Sequence, residues 1–134
     1  MSGENKSNAI DEAIERFNRG EYFEAAEMFE LESRGADGEL KVVIDSLNRV
    51  SAALHLRFER GSRQGAINLI SQAMLALEEM RPTRAGLDLG RFCEELHAYS
   101  EEIRATPRDE HAGVKHRARL FLERRRVPKI ARAR

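Results

Sequence analysis

The carboxylates Glu24, Glu27, Glu30 and Asp45 are the residues of this chain best suited to acid–base chemistry. If the two helices that carry them pack together, a desolvated pair can donate and accept a proton in one reaction. Arg34, Arg49 and Arg57 stand close by in sequence and offer these acids cationic partners, in surface ion pairs worth at most about 1 kcal/mol each. The same spacing equally describes a solvated helix face. Glu27, Glu30, Arg34, Asp45, Arg49 and Arg57 therefore form a candidate groove for a ligand or partner, with no catalytic role assigned to any of them.

Metal chemistry has thinner support. Glu94 and His97 form a Glu-x-x-His pair, the spacing that puts two ligands on one helical face of a di-iron bundle, but a second pair and two further glutamates would be needed. Cys93 and His97, four apart, supply half of a zinc site whose other ligands no nearby cluster provides. The expectation is a buried Cys93 with His97 at the edge of the core, and neither metal nor cofactor is assigned. The chain also has no phosphate-cradling glycine loop, no His-Glu-x-x-His and no serine nucleophile elbow.

The strongest functional pattern is electrostatic. A formal net charge of zero hides a division: residues 115–134 hold nine Lys or Arg against one acid, Glu123, while the preceding 114 residues carry 22 acids against 14 bases. Arg117, Arg124, Arg125, Arg126, Lys129, Arg132 and Arg134 can neutralise the carboxylates or phosphates of an anionic partner. Each phosphate contact would add roughly 0.7–0.9 to the salt slope of nucleic-acid binding. Phe121 is the aromatic residue among them, and its place on an apolar stripe assigns it to packing rather than base stacking. Opposite signs also allow the tail to fold back onto the body.

The elements that must position these groups are helices. Apolar residues recur at i, i+3, i+4 and i+7 through most of the chain and strand-like alternation is nearly absent, which predicts an all-α fold. Arg16-Phe17-Asn18-Arg19-Gly20 returns as Arg57-Phe58-Glu59-Arg60-Gly61, and Ala25 as Ala66, 41 residues later. Each copy reads as a helix end, a glycine turn and a second helix, so two helical hairpins are expected. Asn8 is the expected cap of the first helix and Ile10, Ala13, Ile14 and Phe17 its apolar stripe. Tyr22 to Phe29 continue as a second helix, and Leu40 to Phe58 mark a long, central third. Ala66 to Leu77 define a fourth, ended by Pro82, with a loop from Arg81 to Leu87. Asp88 caps a fifth that stops at Thr106-Pro107. A last helix starts near Pro107 or Asp109, with Val114, Ala118, Phe121 and Leu122 on one side, before an extended end from Val127-Pro128.

The length, 134 residues, suits one domain. Its expected parts are a bundle over 1–106 and a basic helix and tail over 107–134, packed on the bundle or extending from it. No 18-residue apolar run is present, the start Met1-Ser-Gly-Glu-Asn-Lys is polar, and Cys93 is the lone cysteine. These predict a cytoplasmic protein without membrane contact. Tetratricopeptide repeats are a poor description, because their period is about 34 residues rather than 41.

Phe17-Asn18-Arg19-Gly20-Glu21-Tyr22-Phe23-Glu24-Ala25, Ala52-Ala53-Leu54, Arg60-Gly61, Gly65-Ala66 and Gly86-Leu87-Asp88 occur in that order. Over roughly residues 10–104 the chain thereby resembles the bacterial and archaeal family called domain of unknown function 309. That resemblance implies a small all-helical fold and brings no established reaction. Members of the family usually carry a His-Glu pair, a further glutamate and a tryptophan on the second helix. Here Ala26 and Ser33 stand at the His and Trp positions, Glu27, Glu30 and Arg34 remain, and Arg57 stands at a second family histidine.

The functional expectation is a non-enzymatic interaction or adaptor protein. Its protein partner would use the groove near helices two and three and the basic tail. A nucleic-acid accessory protein binding phosphates through the tail, and a small-ligand binder or enzyme using the carboxylate–arginine cluster, are the alternatives. Homodimerisation through an apolar helix face is compatible with each.

Overall fold

The apolar stripes become six helices, α1 Ser2–Asn18, α2 Tyr22–Arg34, α3 Gly38–Arg60, α4 Gln64–Glu78, α5 Leu89–Ala105 and α6 Val114–Arg124. The computed structural model describes residues 2–106 and 114–133, with side chains over 9–106 and 117–133. Pro107, Asp109 and Arg134, and the side chains of Val114 and Lys115, lie outside the described residues. The fold is an all-α bundle in which α3 runs through the middle, packed against α2 on one side and α4 on the other. Its buried residues Val43, Ile44, Leu47, Val50, Ala53 and Leu54 keep the helical period and meet Phe17, Phe29, Ile70, Leu77, Phe92, Leu96 and Ile103 from the other elements.

Both copies of the echo end a helix. Gly20 has φ +83° and Gly61 φ +67°, a left-handed backbone that a side chain disfavours. At the first turn the Gly20 N–H donates to Phe17 O (2.9 Å) and the Glu21 N–H to Arg16 O (2.9 Å), the paired bonds of a Schellman motif. At the second, the N–H groups of Gly61 and Ser62 both reach Leu56 O, a wider turn. The echo thus reproduces the reversal but not the surroundings. Phe17 is core, whereas Phe58 is only half-buried and stacks on Tyr22; Arg16 is at the surface, whereas Arg57 is 3% exposed.

Three local expectations are corrected. The first helix does not start at Asn8 but at Ser2. The stretch expected as a loop from Arg81 to Leu87 holds a short antiparallel pair, β1 Thr83–Arg84 with β2 Leu87–Asp88, its turn built from Ala85 and Gly86 at positive φ. The apolar side read into the last helix faces water: Ala118 is exposed, as are Phe121 at 65% and Leu122 at 51%. What α6 buries instead is its acid, Glu123, at 4% exposure.

Glu123 enters the interior because three donors wait there. Arg57 grips it with two bonds, Nε to Oε2 at 2.9 Å and Nη2 to Oε1 at 2.8 Å, and the Tyr99 hydroxyl donates to Oε2 at 2.9 Å. Beyond α6 the chain turns and follows the bundle back. Val127 and Ile130 are buried with the core, at about 1.5–3 kcal/mol each by the usual scale for such side chains. Asn18 holds the Ile130 backbone from both sides, Nδ2 donating to its carbonyl (3.0 Å) and Oδ1 accepting from its N–H (2.8 Å). The end pairs with the hairpin, the Asp88 N–H donating to Ala131 O and the Ala133 N–H to Gly86 O, both at 2.9 Å.

Glu123→Ala should therefore lower unfolding free energy by about 3–5 kcal/mol, since it strands a buried guanidinium. Arg57→Met combined with Glu123→Leu should recover most of that loss, whereas Arg34→Ala, at the surface, should cost under about 0.5 kcal/mol. Urea denaturation followed by circular dichroism measures all three.

Candidate functional site

The six residues of the predicted groove do not converge. Glu27 and Arg49 are exposed, and Glu30 and Arg34 form an exposed i,i+4 pair at 3.4 Å on α2. Asp45 accepts a hydrogen bond from Ser33, whose hydroxyl also takes one from Lys41 Nζ at 2.9 Å; this fastens the end of α2 to the start of α3. Arg57 belongs to a different region: it sits in the last turn of α3, and its guanidinium turns to Glu123 of α6 beside Tyr99 of α5. Asn48 Nδ2 also crosses between α2 and α3, donating to Ala26 O at 2.6 Å.

Cys93 is fully buried, and burial pushes its thiol up to about 11, with Glu78 adding to the rise and Arg81 opposing it. Glu94 is turned outward to Arg81 (3.1 Å), and His97 is exposed in a cleft between α4 and α5. Among the described residues no three His, Cys, Asp or Glu side chains are grouped to hold a metal ion. No helix among them is long and apolar enough to cross a membrane.

The basic segment divides into cations that hold it and cations that face out. Arg126 pairs with Glu102 and Arg132 with Asp11, so two of its charges neutralise the acidic body. Arg124 donates to the Gly20 carbonyl, and its guanidinium carbon lies 5.5 Å from the ring centroids of both Tyr22 and Phe58. A side chain at position 20 would meet that guanidinium at 3.2 Å, which gives Gly20 a second reason besides its φ. Arg117, Arg125 and Lys129 are exposed.

Arg124 also separates two cavities. On one side, a cavity of about 340 Å³ is lined by Phe17, Asn18, Gly20, Tyr22, Phe121, Val127 and Pro128, and its charged residues are Arg19, Arg124, Arg125 and Lys129. All four carry the same sign. On the other side, a cavity of about 360 Å³ between the start of α2 and the end of α3 has Tyr22, Phe23, His55 and Phe58 in its walls with Glu21, Glu24 and Glu59. Neither contains Glu27, Glu30, Asp45 or Arg49. Sequence spacing marks Asn18, Tyr22, Phe23 and Tyr99 only as helix or turn residues and does not single out His55, and it marks Glu123 only as the single acid in a run of cations.

No family model, curated protein or solved structure matches this chain. The resemblance drawn above rests on its own residues.

Burial raises the phenol of Tyr22 to about 12, with Arg124 opposing, and raises that of Tyr99 further, first by burial and then by the neighbouring Glu123 charge. A raised value means that the folded chain retains protons the unfolded chain releases above about pH 10. The stabilisation is complete below that pH and should be lost as pH climbs through it, with a slope approaching about 1.4 kcal/mol per pH unit for each tyrosine. Urea midpoints at pH 8, 10 and 11 check this, and Tyr99→Phe should flatten the decline.

Proposed function

We propose that this protein is a non-enzymatic binding module whose docked C-terminal segment receives an anionic protein partner. The observation that carries the reading is the 340 Å³ cavity, in which Arg19, Arg124, Arg125 and Lys129 meet with no acidic residue in the lining. Phe121, in the lining, and the neighbouring Leu122 offer apolar surface on the same docked segment. A partner combining carboxylates with apolar side chains, such as an acidic amphipathic helix, is complementary to both features. Because the segment is fastened by the buried Arg57–Glu123 pair and by Asn18, little ordering entropy is spent when the partner arrives. A cytoplasmic setting is part of this reading and accords with a single, buried cysteine, Cys93. Membership of the domain of unknown function 309 family is proposed on the same footing, from the order of its helix-turn residues.

One feature favours a second reading. Phe121 is exposed rather than packed, and an exposed ring among arginines is what single-stranded nucleic acid uses, stacking a base on the ring and its phosphates on the cations.

Fluorescence anisotropy with a labelled Glu/Leu peptide, a Gln/Leu peptide of equal length, and labelled single-stranded RNA and DNA separates these readings. We expect the acidic peptide to bind best, to weaken with salt, and to lose at least about tenfold in affinity when Arg125→Glu and Lys129→Glu are combined, two charge reversals in the contact region. Equal binding of the neutral peptide, or no response to the reversals, would sink the proposal. Tighter binding of a single strand, lost in Phe121→Ala, would replace the protein partner by a nucleic acid.

A further inference from the structure

The second cavity has a chemistry of its own, independent of the anionic-partner reading. Its charged lining is Glu21, Glu24 and Glu59 against the single guanidinium of Arg124. Glu21 is already engaged with Arg16 at 3.4 Å, whereas among the described residues Glu24 and Glu59 have no ion pair. The walls are aromatic. Tyr22 and Phe58 stack with centroids 6.0 Å apart, and Phe23 lies against the His55 ring at 5.1 Å, tilted by 48°. Phe23 is 51% exposed, so half of its surface stays open to solvent beside the His55 ring.

One wall of this cavity already holds a cation. The Arg124 guanidinium sits 5.5 Å from both the Tyr22 and the Phe58 centroids, so the protein itself uses these rings to receive a planar, weakly hydrated positive charge. Phe23 and His55, in the same lining, offer the same kind of surface together with Glu24 and Glu59. A small, strongly hydrated ion gains less from ring faces, because they replace its water poorly. A cation whose charge is delocalised or shielded by alkyl groups loses little hydration, and each ring face it meets contributes about 0.5–1 kcal/mol at such exposed positions.

We propose that the cavity between the start of α2 and the end of α3 binds an organic cation of the quaternary ammonium or guanidinium type. Phe23, His55 and Phe58 supply the ring faces, and Glu24 and Glu59 the countercharge. The ligand is held in the half of the slot that Arg124 leaves open.

Titration of the full-length, isotope-labelled chain by NMR tests this, with tetramethylammonium and guanidinium chlorides at low millimolar concentration as probes and ammonium and sodium chlorides as controls. The expected result is saturable shifts of the backbone amides at 22–24 and 55–59 with the organic cations, at concentrations where sodium and ammonium leave them in place. Phe23→Leu keeps the charges and the apolar bulk but removes the ring face, and should weaken binding about two- to fivefold. Glu24→Gln with Glu59→Gln should weaken it as well. These positions are exposed, and a dispersed spectrum verifies that the variants remain folded. Shifts that grow linearly, that sodium reproduces, or that Phe23→Leu leaves unchanged would overturn the proposal, since bulk attraction to carboxylates senses no ring.

Discussion

A guanidinium and a carboxylate withdrawn from water must satisfy each other, and Arg57 and Glu123 do so across 66 residues of chain. Removing each ion from solvent costs several kcal/mol, so the pair is a poor source of net stability and a strong source of position. The two-bond geometry and the third bond from Tyr99 leave Glu123 one placement, and with it one rotation of α6. Everything in the C-terminal segment follows from that rotation. Arg124 is directed to the Gly20 turn, Arg126 to Glu102, and the chain beyond is delivered to the pocket where Val127 and Ile130 become core.

The same rotation explains the outward face. A helix with its acid turned inward must show water whatever lies opposite, and here that includes Phe121, Leu122 and Arg125. The opposite charges of body and tail are partly cancelled inside the molecule, through Arg126 and Arg132, instead of being held for a partner. What is left is a local contrast. Arg124 stands as a partition with a cationic cavity on one side and an aromatic, acidic one on the other. Coulomb attraction across such short distances survives physiological salt far better than attraction between the whole body and tail would.

Periodicity made the bundle legible. Five helices could be read from apolar spacing, glycine turns and the Asp88 cap, whose side chain accepts from the Arg91 N–H at 3.1 Å, because these signals act between near neighbours in sequence. The last helix shows where that logic stops. Ala118, Phe121 and Leu122 have helical spacing, but a stripe says only that residues share a face, and the face turned inward was chosen by a charged pair between distant residues. The predicted groove dispersed for a related reason. Spacing placed Glu27, Glu30 and Arg34 on one helix correctly, yet gave no hint that Asp45 would answer Ser33 or that Arg57 would face another layer. The two cavities straddle the turn of the first echo and draw on three or four elements each, so no local pattern marks them.

The bond pair between Asn18 and Ile130 joins positions 112 residues apart, and it gives the molecule a history as well as a shape. A chain is made from its N-terminus, so Asn18, Arg57 and Tyr99 all leave the synthesising machinery before the residues that complete them. At about 5–20 residues per second, Arg57 waits roughly 3–13 s for Glu123. During that interval its guanidinium must remain in water, and the space it later fills stays open. The bundle is therefore a structure that closes from behind, its interior sealed by a segment made well after the helices it covers.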